Sequence, residues 1–208
     1  MKIVSYIVES FLEYEDKISL VLFSYGCNMK CSYCYNYNFI TDYKHIIKEP
    51  VETIIDNNIT PLTDAIVFLG GEPTIYGDSL LQTAQYVKTK HNLATKLFTN
   101  GTNADVVIEG VRTNLFDLVS MDFKSYFPND EITYGDSWSN YIISVEKILK
   151  MFHTYGITNR LEVRMTVVPA LERELVIVKE ICNNMRIKFI KQTDVKPSYD
   201  SLGVTNVK

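Results

Sequence analysis

Apolar residues along the chain follow two alternating rhythms. The first is a short continuous run, Ile18-Ser19-Leu20-Val21-Leu22-Phe23-Ser24, that stops at Tyr25-Gly26. A run of this length and β-favouring composition, bounded by a turn, reads as a buried strand feeding a loop. Five more such runs follow, at Ala65 to Leu69, Thr95 to Thr99, Leu118 to Phe123, Leu161 to Val168 and Ile187 to Ile190. Between them the spacing turns helical, over roughly 44 to 57, 78 to 91, 103 to 113, 139 to 154 and 172 to 184. In the fourth of these, Tyr141, Val145, Ile148, Leu149 and Phe152 recur at three- and four-residue intervals and form one apolar face. Asp78 and Ser139 are the expected N-caps, and Gly156 the expected C-terminal stop.

Strict alternation of strand and helix predicts an α/β fold of parallel strands joined by right-handed crossovers, either a barrel or a doubly wound sheet. Six units are too few to close an eight-stranded barrel. The unusual residues fall after the strands: a group of cysteines after the first, Gly70-Gly71-Glu72-Pro73 after the second, Asn100-Gly101 after the third, Asp122 and Lys124 at the end of the fourth. Parallel α/β folds gather their chemistry at these carboxyl ends, which predicts one site at one mouth. The aromatic, turn-rich segment 125 to 138 is expected to loop over that mouth, and the tail from Gln192 to be irregular. The 208 residues are read as one domain.

Composition narrows the class. With 46% hydrophobic and 22% charged residues the chain is ordinary for a soluble protein, and no apolar run reaches the roughly 18 residues of a membrane span. Met1-Lys2-Ile3-Val4-Ser5-Tyr6 lacks the apolar core of a signal peptide, so a cytoplasmic protein with reduced thiols is expected. A net charge of -4, without a cluster of Lys or Arg, offers no electrostatic footprint for nucleic acid.

Three of the four cysteines lie within Cys27-Asn28-Met29-Lys30-Cys31-Ser32-Tyr33-Cys34. Thiolates at this spacing can close around one metal centre. Structural zinc wants four ligands, and a fourth is missing at short range: His45 is eleven residues beyond Cys34, while His91 and His153 lie in helical stretches. A [4Fe–4S] cluster held by Cys27, Cys31 and Cys34 would keep one iron free of protein ligands, which makes it a chemical site. Zinc and inert thiols stay as the alternatives. Cys182 stands alone among Leu175, Val176, Val178 and Ile181; it reads as a buried structural thiol and cannot build a second cluster.

The cysteine spacing, with Tyr33 before the third cysteine and Gly70-Gly71-Glu72-Pro73 after the next strand, resembles the radical S-adenosylmethionine enzymes. The resemblance implies a partial (β/α)6 barrel, a [4Fe–4S] cluster and S-adenosyl-L-methionine, whose amine and carboxylate chelate the open iron. One electron then cleaves the sulfonium to a 5′-deoxyadenosyl radical, so that the cofactor carries the difficult step. Gly70 and Gly71 would let backbone approach the ligand, Glu72 would meet the methionine ammonium, and Tyr33 would lie near the adenine.

A narrower resemblance spans most of the chain. Lys17-Ile18, Gly26-Cys27-Asn28, Tyr33-Cys34, Gly70 to Thr74, Thr99-Asn100-Gly101, Met121-Asp122-Phe123-Lys124 and Arg164 to Pro169 look like the glycyl-radical-enzyme activating enzymes, above all those serving anaerobic ribonucleoside-triphosphate reductase. That family implies a glycyl radical enzyme as partner and a flavodoxin or ferredoxin as electron donor. Lys124 would meet the cofactor carboxylate, Asp122 and Thr99 would face a monovalent cation or the cofactor, the turn containing Asn100 would help hold the cofactor, and Arg164 would line the pocket. A plain Asp122–Lys124 ion pair is the bland alternative. The chain departs from the pattern with Glu15-Asp16 in place of Pro-Gly, Tyr35 in place of a common histidine, and Phe98 where an aspartate often stands, which weakens the expected cation site. Two rivals are a small-molecule enzyme resembling 7-carboxy-7-deazaguanine synthase, which Asn36 in place of a threonine counts against, and a zinc-stapled binding module.

Overall fold

In the computed structural model of the chain, the described residues are 1–37, 41–130, 132–134 and 136–193. Their elements are β1 (Ile3–Ser10), β2 (Ser19–Ser24), β3 (Lys30–Cys31), α1 (Val51–Asn58), β4 (Ala65–Gly70), α2 (Asp78–Tyr86), β5 (Ala94–Thr99), α3 (Ala104–Arg112), β6 (Leu118–Asp122), β7 (Ile132–Thr133), α4 (Trp138–Thr154), β8 (Leu161–Val167), α5 (Glu172–Met185) and β9 (Lys188–Thr193).

Seven strands form one sheet in the order β1-β2-β4-β5-β6-β8-β9. From β2 to β9 all neighbours are parallel. These six are the expected strands of a partial (β/α)6 barrel, and the sheet stays open between β1 and β9 among the described residues. No helix of the described residues is long and apolar enough to cross a membrane.

Strands covered on both faces need apolar residues at consecutive positions, and β2 and β4 have them. Alternation then sorts the side chains. Leu20, Leu22, Ile66, Phe68 and Leu97 belong to the large core shared with Val107 of α3, Ile148 and Phe152 of α4 and Val178 of α5. Val21, Val67 and Phe98 point the other way and gather with Ile7, Tyr14, Phe23 and Leu69 on the inner face.

The structure corrects several boundaries. Strand β1 was not anticipated; it pairs antiparallel with β2 through two register shifts, and Glu9 adopts φ 58°, so its alternation is broken. The helix expected from residue 44 starts at Val51, because Pro50 caps it in an extended conformation that cannot continue back into a helix. Asp78 is the first helical residue after Gly77 and does not cap its helix. Ser137, not Ser139, caps α4, its hydroxyl accepting from Asn140 N at 3.1 Å. Gly156 does end that helix, at φ 67° with its N–H on His153 O.

Segment 125 to 138, expected to loop over the mouth, is tied down at two points among its described residues. Ile132 pairs with Cys31 between β7 and β3, and Tyr126 N donates to the Glu174 carboxylate of α5. Gln192 and Thr193, assigned to the irregular tail, belong to β9, in register with Thr166 and Val167. The remainder of that tail, 194–208, lies outside the described residues.

Candidate active site

The cysteine loop leaves β2 through Tyr25-Gly26 and is fixed by its own backbone. Met29 N donates to Cys27 Sγ at 3.4 Å, Cys34 N donates to Cys31 O at 3.1 Å, and the β3–β7 pair holds Cys31 in place. Burial pushes the Cys27 thiol up to about 12, with the Glu72 carboxylate adding to it. Burial also raises Cys31, against the opposing charge of Lys124. Thiols this reluctant lose their protons to a metal and not to water.

Structural zinc takes four protein ligands, and the cysteine loop offers three, Cys27, Cys31 and Cys34. A [4Fe–4S] cluster takes cysteine thiolates on its irons, and Cys27, Cys31 and Cys34 line one cavity that could present three of them. The donor set therefore fits the cluster.

Gly70 and Gly71 are required by a close approach of backbone to backbone. A Cβ on Gly71 would lie 1.8 Å from the Gly26 carbonyl oxygen, and one on Gly70, at φ 114°, would lie 2.4 Å from Ser24 N. The two glycines let the end of β4 lie against the start of the cysteine loop, where Gly71 N donates to Ser24 O and Glu72 N to Gly26 O, at 3.0 and 2.8 Å.

Glu72 follows, buried at 1% exposure. Its Oε1 accepts from Thr74 N, Thr74 Oγ1 and Thr99 Oγ1 at 3.0, 2.6 and 2.8 Å, while Oε2 accepts from Asn100 N at 2.6 Å. Burial raises its pKa above the usual carboxylate range, against these four bonds. Oε1 is saturated, and Oε2 keeps one lone pair for a further donor. The Thr99 hydroxyl is thus committed to orienting Glu72, and it also accepts from Gly101 N at 3.1 Å.

Across the mouth, Lys124 Nζ lies 3.3 Å from Asp122 Oδ2, and Arg164 Nε lies 3.7 Å from Asp122 Oδ1. Oδ1 is buried and has no hydrogen-bond partner among the described residues. Burial opposes the charge on Lys124, but the nearby Asp122 carboxylate helps outweigh it, and the Lys124 pKa is raised. Tyr33 is itself raised, chiefly by burial. The Arg164 guanidinium stacks over the Phe98 ring at 4.8 Å, with Lys96 over the same ring at 4.7 Å.

All twelve site residues expected from the sequence, Cys27, Cys31, Tyr33, Cys34, Gly70, Gly71, Glu72, Thr99, Asn100, Asp122, Lys124 and Arg164, line one cavity of about 690 Å³. That volume lies in the range of small-molecule sites, about 300 to 1,000 Å³. Ile7, Phe23 and Leu69 make its apolar side, while Lys96 and Glu162, paired at 2.6 Å, add charge to the other. Sequence reasoning missed that pair, although a charge inside an apolar strand needs a partner and so marks itself. Thr74, Thr102 and Tyr141 were missed as well. The Tyr141 hydroxyl accepts from Lys124 N at 2.7 Å, and only its polar tip on an apolar helix face could have marked it.

The model of the Radical SAM superfamily matches residues 21–197. A Methanocaldococcus jannaschii protein named as a candidate glycyl-radical enzyme activating enzyme is 32% identical over 206 residues, covering 95% of this chain and 82% of its own length. A second protein of that organism with the same naming is 31% identical over 131 residues, 63% of this chain and 48% of its own. The solved structure of native anSMEcpe with bound AdoMet and Kp18Cys peptide superposes with a TM-score of 0.64 at 22% identity, over 90% of this chain and 54% of that one. The chain thus spans about half of that structure, and the likeness is one of fold. Sequence match, fold and the three-thiol wall agree: the chain belongs to the radical SAM superfamily, enzymes that pair a [4Fe–4S] cluster with S-adenosylmethionine.

Proposed function

We propose that this radical SAM enzyme activates a glycyl radical enzyme, removing a hydrogen atom from the α-carbon of one glycine, and that its partner is an anaerobic ribonucleoside-triphosphate reductase. The observation that carries the reading is the shared cavity, which Cys27, Cys31 and Cys34 line together with Glu72, Asp122, Lys124 and Arg164. Cys27, Cys31 and Cys34 would hold the cluster. The Lys124 ammonium suits the carboxylate of S-adenosylmethionine, the open lone pair of Glu72 Oε2 its ammonium, and Asp122 Oδ1 a hydroxyl or amine.

When bound, the cluster and S-adenosylmethionine supply a one-electron reductive cleavage whose carbon radical takes a hydrogen atom and leaves the radical on glycine. Residues of this chain orient and shelter that chemistry. Ile7, Phe23 and Leu69 keep one side of the cavity dry, while Lys124 and Arg164 fix the charged end of the ligand. The unpaired outer strands β1 and β9 support the reading of a polypeptide partner, because among the described residues the sheet does not close into a full barrel. The identity of the relative named for glycyl-radical enzyme activation supports the partner class. A flavodoxin or ferredoxin is the proposed electron donor.

The test mixes anaerobically reconstituted protein, S-adenosylmethionine and a reductant with the purified reductase. A glycyl radical signal in electron paramagnetic resonance is the expected result. Normal cofactor cleavage with no glycyl radical on the reductase or any other glycyl radical enzyme would overturn the assignment.

A further inference from the structure

We infer that the Asn100 side-chain amide donates to the Cys27 sulfur and thereby sets the reduction potential of the cluster that Cys27 helps hold, an inference that rests on the three cysteines being the cluster's ligands. The orientation of the amide is fixed by its partners. Thr102 N can only donate, so the Asn100 atom 3.0 Å from it is Oδ1, and Nδ2 must face the other way. There it meets Asn28 Oδ1 at 2.9 Å and Cys27 Sγ at 3.8 Å. Asn28 returns a bond from Nδ2 to Thr102 Oγ1 at 2.8 Å, and Thr102 Oγ1 donates to Asn100 Oδ1 at 2.6 Å. Three hydrogen bonds thus close a ring between the cysteine loop and the turn after β5.

Asn100 is 5% exposed, with both amide ends engaged inside this ring. That arrangement suits a fixed donor to sulfur better than a group reaching for a ligand. With Met29 N, it gives Cys27 two N–H donors. Both strengthen once the sulfur is a thiolate, because the acceptor then carries charge. Donors to the sulfurs of a cluster withdraw negative charge and favour its reduced form, so this contact raises the potential.

The test compares the midpoint potentials of anaerobically reconstituted wild type, Asn100→Ala and Thr102→Val, without S-adenosylmethionine or partner, by redox titration read in absorbance and electron paramagnetic resonance. Asn100→Ala should keep its iron and shift the oxidised-to-reduced ratio about tenfold toward the oxidised form, about 59 mV more negative for a one-electron couple. Thr102→Val leaves Cys27 untouched but frees the amide, and should shift the potential the same way by less. If Asn100→Ala fails to retain iron, the threonine variant decides. Coincident midpoints in the iron-loaded proteins overturn the inference alone, whereas wild-type protein that takes up no iron defeats the cluster reading beneath it.

Discussion

Gly71 and Gly26 meet so closely that a single methyl group would separate the cysteine loop from the β4 turn. A side-chain carbon at residue 71 would come within 1.8 Å of the Gly26 carbonyl oxygen, so Gly71→Ala must move backbone. Overpacking of this kind costs about 1–3 kcal/mol, which a thermal melt reads. Because the displaced carbonyl adjoins Cys27, the iron bound per chain should fall in the same variant. The cysteines separate by role. Cys27→Ala, Cys31→Ala or Cys34→Ala should each abolish cofactor cleavage, while Cys182→Ala keeps it. Cys182 is 1% exposed among apolar neighbours, and burial pushes its thiol up to about 12, so iodoacetamide near pH 8 should leave it unlabelled until the chain is unfolded. Side chains at this scale were legible where their type was rare. Cysteines and paired glycines announce themselves, whereas Thr102 and Asn28 are ordinary residues whose roles depend on a partner some seventy positions away in sequence.

Helix α4 shows how one element supports two turns. Tyr141 and Ser144 lie three residues apart on one helix face. Tyr141 accepts from Lys124 N, while the Ser144 hydroxyl donates to Gly101 O or Thr102 O, at 2.7 and 2.9 Å, and accepts from Ala104 N at 3.0 Å. The helix therefore fixes both the strand end that carries Lys124 and the turn that carries Asn100. Tyr141→Phe leaves Lys124 N without its partner, a loss of about 1–3 kcal/mol for an unsatisfied buried donor. It should weaken S-adenosylmethionine binding in a titration while leaving the iron content unchanged. The apolar face of α4 was readable from its spacing, and so were the six parallel strands. Strand β1 was not, since its bulges break the alternation, and β3 and β7 are two-residue strands whose existence depends on pairing across the fold.

At the scale of the molecule the sheet is a partial barrel with unlike halves. The inner surface is apolar where β1, β2 and β4 supply it, and charged where β5, β6 and β8 bring Lys96, Asp122, Glu162 and Arg164. An ion pair at 2.5 Å joins Glu15, in the connection from β1 to β2, to Lys188 at the start of β9. Both side chains are more than half exposed, so solvent and salt screen the pair. Glu15→Ala should leave the melting temperature unchanged at physiological salt.

The cavity takes residues from the carboxyl ends of β2, β4, β5 and β6 and from within β8 and β9, so it exists only while the whole sheet does. Ligand binding and global folding are then linked. Any molecule that occupies this cavity and ignores the unfolded chain adds RT ln(1 + [L]/Kd) to the stability of the entire sheet, about 2.7 kcal/mol at a hundredfold excess over Kd. Saturating S-adenosylmethionine should raise the melting temperature of the cluster-loaded protein as one cooperative transition, with no separate early step for the cysteine loop.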